Sequence, residues 1–226
     1  MPILHYKTKN NTMKLNIKSA ALIATASLLA ACNSSTQNTL PILGNRVAEE
    51  KMVDGKLVVD TIYQTVPVFS LLNQDSILVT NETVKGKIYV ADFFFTSCPT
   101  ICPIMKKEMI RVYEKFKGNH QVVILSHTID PDYDTLPLLR DYANRLGSDG
   151  KQWMFLWGER KQVYELAEKG YYASAAVDST EPGGFIHSGG FILVDKQQRV
   201  RGIYDGTSTS DVDKLMVDMD ILLKEQ

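Results

Sequence analysis

The residues with the most chemical content stand together in Phe93-Phe94-Phe95-Thr96-Ser97-Cys98-Pro99-Thr100-Ile101-Cys102-Pro103. Two thiols follow a dense apolar run and precede a helical pattern, and the dipole at a helix N-terminus stabilises thiolates. If the segment is helical, the i, i+4 spacing puts both sulfurs on one face with Cα atoms about 6 Å apart, which is open to a disulfide and to a shared metal. Dithiol reductases generally use Cys-x-x-Cys. The extra residue here widens the bite and suits a metal better than fast dithiol exchange. Two soft thiolates favour Cu(I) or zinc. A structural zinc wants four protein ligands, and no further cysteine is at hand to complete such a set, so low-coordinate copper fits better.

A third ligand must come from four histidines. His5 lies in the expected leader, and His120, in a polar turn, reads as a solvated residue. His127, inside an apolar strand, reads as a buried structural histidine. His187 sits between Gly183-Gly184 and Gly189-Gly190, in a mobile glycine-rich loop entering a strand, where an imidazole can swing toward a metal. Alone it reads as solvent-exposed; the cysteine pair raises it. Met105 fits the apolar stripe of its helix, so core is the simpler reading than soft ligand. Asp92, in a buried run, either tunes the thiols or is a paired structural acid. Asp130-Pro131 reads as a turn, and Asp134 as the cap of a helix starting near Thr135.

These residues need elements to hold them. Leu57–Tyr63 alternates as a strand, and Lys87–Phe95 reads as a buried central strand leading into the cysteines. An apolar stripe from Met105 to Phe116 predicts a helix stopped by Gly118. Val122–Thr128 and Trp153–Trp157 read as strands, Leu136–Leu146 as a helix ended by Gly147, and Lys161–Lys169 as a helix ended by Gly170. Phe191–Val194 and Val200–Tyr204 read as an antiparallel hairpin, followed by a helix capped by Ser210. Strands alternating with helices predict an α/β fold, a central mixed β-sheet flanked by helices, in the thioredoxin-like order.

The chain has 226 residues, 44% of them hydrophobic and 23% charged, with a net charge of -1. That composition predicts an ordinary globular domain and offers no basic face for nucleic acid. From Met13 a basic stretch precedes an apolar run, Ala20–Ala31, too short to span a bilayer comfortably and shaped like a secretory signal. Leu28-Leu29-Ala30-Ala31-Cys32 is similar to the bacterial lipobox, which implies cleavage before Cys32 and a lipid on it. An ordinary cleaved signal with an incidental cysteine is the alternative. Residues 1–32 are thus expected to be a signal peptide starting at Met13, 33–45 a flexible polar tether, and 46–226 the folded domain.

The cysteine segment, then Ser126-His127-Thr128-Ile129-Asp130-Pro131 with Asp134, His187 before Phe191-Ile192-Leu193-Val194-Asp195, and Arg201-Gly202-Ile203-Tyr204-Asp205-Gly206-Thr207 together resemble the Sco/SenC family. The matches run in order from about residue 60 to the C-terminus. The resemblance implies a thioredoxin-like fold and copper held by Cys98, Cys102 and His187, as Cu(I), with Cu(II) the other state open to it. It also implies a role in building the binuclear copper centre of cytochrome c oxidase subunit II. Many such proteins anchor through a transmembrane helix, whereas this chain is expected to use a lipid on Cys32, in the cell envelope with its domain outside the cytoplasm. The main alternative is a thiol-disulfide oxidoreductase with Cys98 and Cys102 as a redox-active pair, itself served by a thiol-disulfide reductase. A redox or copper sensor ranks lower for want of an output segment, and peroxidase chemistry would want a single low-pKa cysteine. Produced from its native gene, the mature chain is expected to begin at lipidated Cys32. Intact-mass analysis checks this, and a mature chain that keeps Met1 refutes it.

Overall fold

The computed structural model describes residues 39–180 and 183–225, without the side chains of Ile186 and His187. The expected signal, Cys32 and the first part of the tether lie outside the described residues. Among the described residues no helix is long and apolar enough to cross a membrane.

The centre of the domain is three parallel strands, β5 (Ile88–Phe94), β6 (Val122–Thr128) and β7 (Trp153–Trp157). Every residue of β5 and β6 is buried, which explains why their sequences run apolar without alternation. Parallel neighbours need crossovers, supplied by helices α1 (Cys102–Phe116) and α2 (Leu136–Arg145). On one side β10 (Gly190–Val194) pairs antiparallel with β5, and β11 (Val200–Asp205) with β10. On the other, β3 (Ser70–Asn73) pairs antiparallel with β7, and β4 (Leu78–Thr80) closes the edge. The seven-stranded order is β11-β10-β5-β6-β7-β3-β4. Helices α3 (Arg160–Tyr171) and α4 (Thr209–Lys224) complete the flanks. This is the mixed sheet with flanking helices that the alternation of patterns predicts.

Two small ladders stand outside that sheet. β1 (Arg46–Val53) and β2 (Lys56–Tyr63) form a hairpin, and β8 (Ala175–Val177) and β9 (Phe185–His187) form a second. Of these four strands the sequence pattern signals only β2, because short or two-side-exposed strands carry no regular alternation.

Three local expectations change. The terminal helix is capped by Ser208, not Ser210: Ser208 is extended and its hydroxyl accepts from Asp211 N–H, while Ser210 already lies within the helix. Residues 40–43, expected in the tether, are fastened to the domain. Arg201, buried at 4% exposure, donates from Nε to the Pro41 carbonyl at 2.9 Å and from Nη2 to the Leu40 carbonyl at 2.5 Å. The Leu43 N–H reaches the Val200 carbonyl at 2.8 Å. The same guanidinium pairs with Asp195 and Glu225, so one buried charge ties both ends of the domain to the sheet edge.

Gly170 does not end α3. It lies inside the helix, which closes at Tyr172 in the left-handed region, φ 55°. A Cβ at Gly170 would stand 2.9 Å from Pro67 Cδ and 3.2 Å from Leu166 Cδ1, so the glycine serves close packing. In an open helix Gly→Ala stabilises by about 1 kcal/mol, but overpacking costs about 1–3 kcal/mol. Gly170→Ala is therefore expected to lower stability by about 1–2 kcal/mol in urea unfolding, and a gain would refute the packing account.

Candidate metal centre

β5 delivers the chain into a tight turn in which Cys98 N–H bonds the Phe95 carbonyl at 3.2 Å. Cys102 is the first residue of α1, and Pro103 follows at a position whose N–H has no helical acceptor to lose. Cys98 therefore precedes the helix, and both thiols are buried, at 8% and 5% exposure.

The two sulfurs are unequal. Burial pushes the Cys98 thiol up, but hydrogen bonds from the Cys102 side chain, the Thr100 and Cys102 backbone and the Thr100 hydroxyl outweigh it and hold Cys98 below the ordinary thiol value. Thr100 Oγ1 is 3.7 Å from Cys98 Sγ. Cys102 is pushed far above it, first by burial and further by the neighbouring Cys98 and the charge of Asp92, against a backbone hydrogen bond from Phe95. One thiolate stabilised by the other thiol is the expected arrangement for a pair sharing either a metal or a bond.

The loop is held from the side by Asp134, fully buried at the end of a short turn after β6. Its carboxylate accepts from Thr96 N–H at 3.1 Å, from the Thr96 hydroxyl, and from the Thr128 hydroxyl at 2.5 Å. Thr135 takes the helix cap position, so Asp134 is a brace for the cysteine loop and not a cap. Asp130 faces Arg160 Nη2 at 3.4 Å, and the Pro131 carbonyl accepts from Trp157 Nε1 at 3.0 Å, which makes this segment a pinned turn.

Asp92 fills both roles left open by its sequence. Its Oδ1 accepts from the Ser126 hydroxyl at 2.5 Å, and Ser126 Oγ accepts from Trp153 Nε1 at 2.9 Å. It also lines a small cavity with Cys102, Met105 and Tyr142. Burial pushes its carboxyl up to about 7 despite the Ser126 bond. Met105, at 2% exposure, belongs to the core.

His127 is buried, with its ring stacked on Phe93 at 4.9 Å and Nδ1 3.2 Å from the Asp92 carbonyl. It follows Ser126 on a strand and so points to the face opposite the Asp92 cavity. Burial lowers it to about 4, a neutral structural imidazole. His120 is exposed in a turn. His5 lies outside the described residues.

His187 is on strand β9, not in an open loop: its backbone pairs with Ala175, and Ser188 N–H bonds the Ser174 carbonyl at 2.9 Å. Its side chain lies outside the described residues. What brings β9 to the site is Phe185, whose ring lies 5.0 Å from that of Phe95. Gly183, at φ +94°, approaches so closely that a Cβ would meet Phe95 Cζ at 2.9 Å and Pro99 Cδ at 3.1 Å. The Arg160 guanidinium lies over the Phe185 ring at 5.8 Å and bonds Asp132 at 2.7 Å. Sequence reasoning missed Thr96, Phe185 and Arg160, whose roles depend on contacts across 25 to 90 positions with no local signal. Among the described residues no three His, Cys, Asp or Glu side chains converge. Among the described residues the thiol pair is therefore a two-sulfur set.

The SCO1/SenC family model matches residues 60–220. The SCO1 protein homolog of Bacillus subtilis strain 168 is 32% identical over 167 residues, spanning 73% of this chain and 86% of that one. A structure of BsSco, described as a member of the Sco family of cytochrome c oxidase assembly proteins and as containing a disulfide switch, superposes with a TM-score of 0.64 at 31% identity, covering 72% of this chain and 95% of that one. Arabidopsis thaliana ScoI, solved with copper bound, shares the fold with a TM-score of 0.59 at 23% identity, over 71% of this chain and 99% of that one.

Asp92 and His127 give opposite pH signatures. Asp92, raised from its ordinary 3.8 to about 7, contributes stability present below pH 4 and lost as pH rises through 7. His127, lowered from 6.5 to about 4, contributes stability present above pH 6.5 and lost as pH falls through 4. Each slope is about 1.4 kcal/mol per pH unit, so the two oppose each other between pH 4 and 6.5. Relative to wild type, Asp92→Asn is expected to gain stability as pH rises across that window and His127→Gln to lose it. Urea unfolding at several pH values reads both, and parallel profiles would refute the assignment.

Proposed function

The chain belongs to the SCO1/SenC family, and from that premise we propose that it is a metallochaperone carrying one copper ion on Cys98, Cys102 and His187 for the binuclear copper centre of cytochrome c oxidase subunit II. The observation that carries the reading is the buried, mutually hydrogen-bonded pair of thiols where β5 turns into α1. Two soft sulfurs suit Cu(I). Among the described residues no group of three or more His, Cys, Asp or Glu forms an alternative site for a harder ion. The Phe95 and Phe185 rings, 5.0 Å apart, form an apolar wall beside the thiols. The β9 strand, seated on the cysteine loop, is the element from which His187 supplies the third donor.

The chain's own residues divide the work. Cys98, whose thiolate is favoured, engages copper first, and Cys102 follows when metal binding displaces its proton. Release reverses this order: an acceptor thiolate takes the open coordination position, and Cys102 is reprotonated in its buried site. The energetic reluctance of Cys102 to ionise keeps the copper exchangeable. A lipid on Cys32 would hold this domain at the envelope membrane, outside the cytoplasm, where acceptor sites of this kind are assembled.

The split between the thiols also favours a second reading, thiol-disulfide exchange. A low-pKa Cys98 attacks a disulfide of the acceptor, and Cys102 resolves the mixed disulfide, leaving the acceptor's cysteines reduced and this pair oxidised. A thiol-disulfide reductase would then restore the pair. The two readings part at His187, which only metal binding needs.

Cu(I) competition with a chromophoric chelator is expected to give one copper per reduced chain. Cys98→Ser, Cys102→Ser and His187→Ala should each weaken it by about tenfold or more, since each removes one of three ligands. Negligible binding, or binding indifferent to His187, would favour the exchange reading.

A further inference from the structure

The β1–β2 hairpin is the part of the domain whose surface matches its environment least. Among the described residues it pairs with no other strand, and an isolated two-stranded hairpin is marginal in water. Seven large apolar side chains between Val47 and Ile62 are exposed, Met52 at 68% and Leu57 at 61% among them. Exposed apolar clusters of this kind mark interaction surfaces.

The distribution selects the partner. Met52 pairs with Leu57 on one face of the ribbon, while the adjacent rungs, Val53 with Lys56 and Lys51 with Val58, point to the other. The outer third of the hairpin therefore carries apolar side chains on both faces, Met52 and Leu57 on one and Val53 and Val58 on the other, where they alternate with Lys56 and with Lys51, itself paired with Glu49 at 2.5 Å. A protein groove would cover one face and leave the other wet. An interfacial lipid layer entered tip-first covers both, with Lys56 beside the turn reaching phosphate headgroups. Asp54, at the turn, limits the depth to the headgroup boundary.

Chain length places a membrane within reach. The strap at Leu40 is bound to the domain by Arg201, so only seven residues, or eight Cα-to-Cα steps, separate it from Cys32. Fully extended, the eight steps span at most about 28 Å. Eight-residue strands give the hairpin a length of about 26 Å. Its base is fixed, with Gln64 N–H on the Asn45 carbonyl at 2.9 Å, Gln64 Nε2 on the Lys169 carbonyl at 2.8 Å, and Arg199 over the Tyr63 ring at 5.9 Å.

We propose that the tip of the β1–β2 hairpin, around Met52 and Leu57, is a second membrane contact that rests in the headgroup region of the bilayer and, with the lipid on Cys32, fixes the standing of the domain on the membrane. This rests on the reading that Cys32 carries the lipid.

The test uses the full chain, processed in its host and reconstituted into phosphatidylethanolamine–phosphatidylglycerol vesicles with and without brominated acyl chains. Met52→Trp and Leu57→Trp are read against wild type, which supplies the background of Trp153 and Trp157, and against Val217→Trp, exposed at 56% on α4. Brominated lipid is expected to quench the added emission at 52 and 57 by about twofold, with a blue shift, and to leave 217 unchanged. Protein that floats with the vesicles but shows no quenching at 52 and 57 overturns the hairpin contact and leaves the anchor standing. Protein that does not float overturns both. A blue shift without bromine quenching, with a dimer in sedimentation of the detergent-released protein, overturns the proposal in favour of a second copy of the chain.

Discussion

Three hydrogen bonds to one buried carboxylate hold the cysteine loop in place. Asp134 lies beyond the reach of water and accepts from the Thr96 backbone, the Thr96 hydroxyl and the Thr128 hydroxyl. Hydrogen bonds to a charged group are worth about 1.5–3 kcal/mol each, and a buried charge left unpartnered costs more than the bond itself. The loop from Phe95 to Ile101 therefore cannot drift relative to the end of β6 without stranding that charge. Because β5 and β6 are parallel neighbours in register, with Phe94 beside Thr128, the brace spans the shortest gap between them. The position of Cys98, the start of α1 and the seat of Phe185 all follow from it.

A second constraint is electrostatic. Both thiols are buried, yet only one has enough donors to offset the cost of ionising. Thr100 and the start of α1 serve Cys98, whereas Cys102 looks toward the Asp92 cavity and meets a carboxylate. Such a pair does not hold two negative charges readily. It accepts a cation that neutralises both, or it closes a bond between the sulfurs. One arrangement of sulfurs is thus open to both copper chemistry and dithiol chemistry.

The elements around the site were legible because their patterns are local. Two dense apolar runs, Lys87–Phe95 and Val122–Thr128, declared strands, and the stripe from Met105 to Phe116 declared the helix between them. The thioredoxin-like mixed sheet followed from their order. Where the reading slipped, a residue's usual meaning was overridden from afar. Gly170 reads as a stop, but Pro67 packs where its Cβ would be. Asp134 stands where a cap belongs, but its partners are Thr96 and Thr128. Residues 40–43 look like tether, but Arg201 binds their carbonyls.

The sequence by itself determined the kinds of donor available, their spacing and the strand-to-helix junction that presents them, since composition and periodicity are properties of neighbouring residues. Only the tertiary structure decided that His127 faces away from the thiols, that β9 is seated on the cysteine loop through Phe185 and Phe95, and that Cys98 and Cys102 differ in acidity. Those outcomes depend on burial and on contacts between residues far apart in the chain, and no pattern of adjacent residues encodes which distant group will arrive.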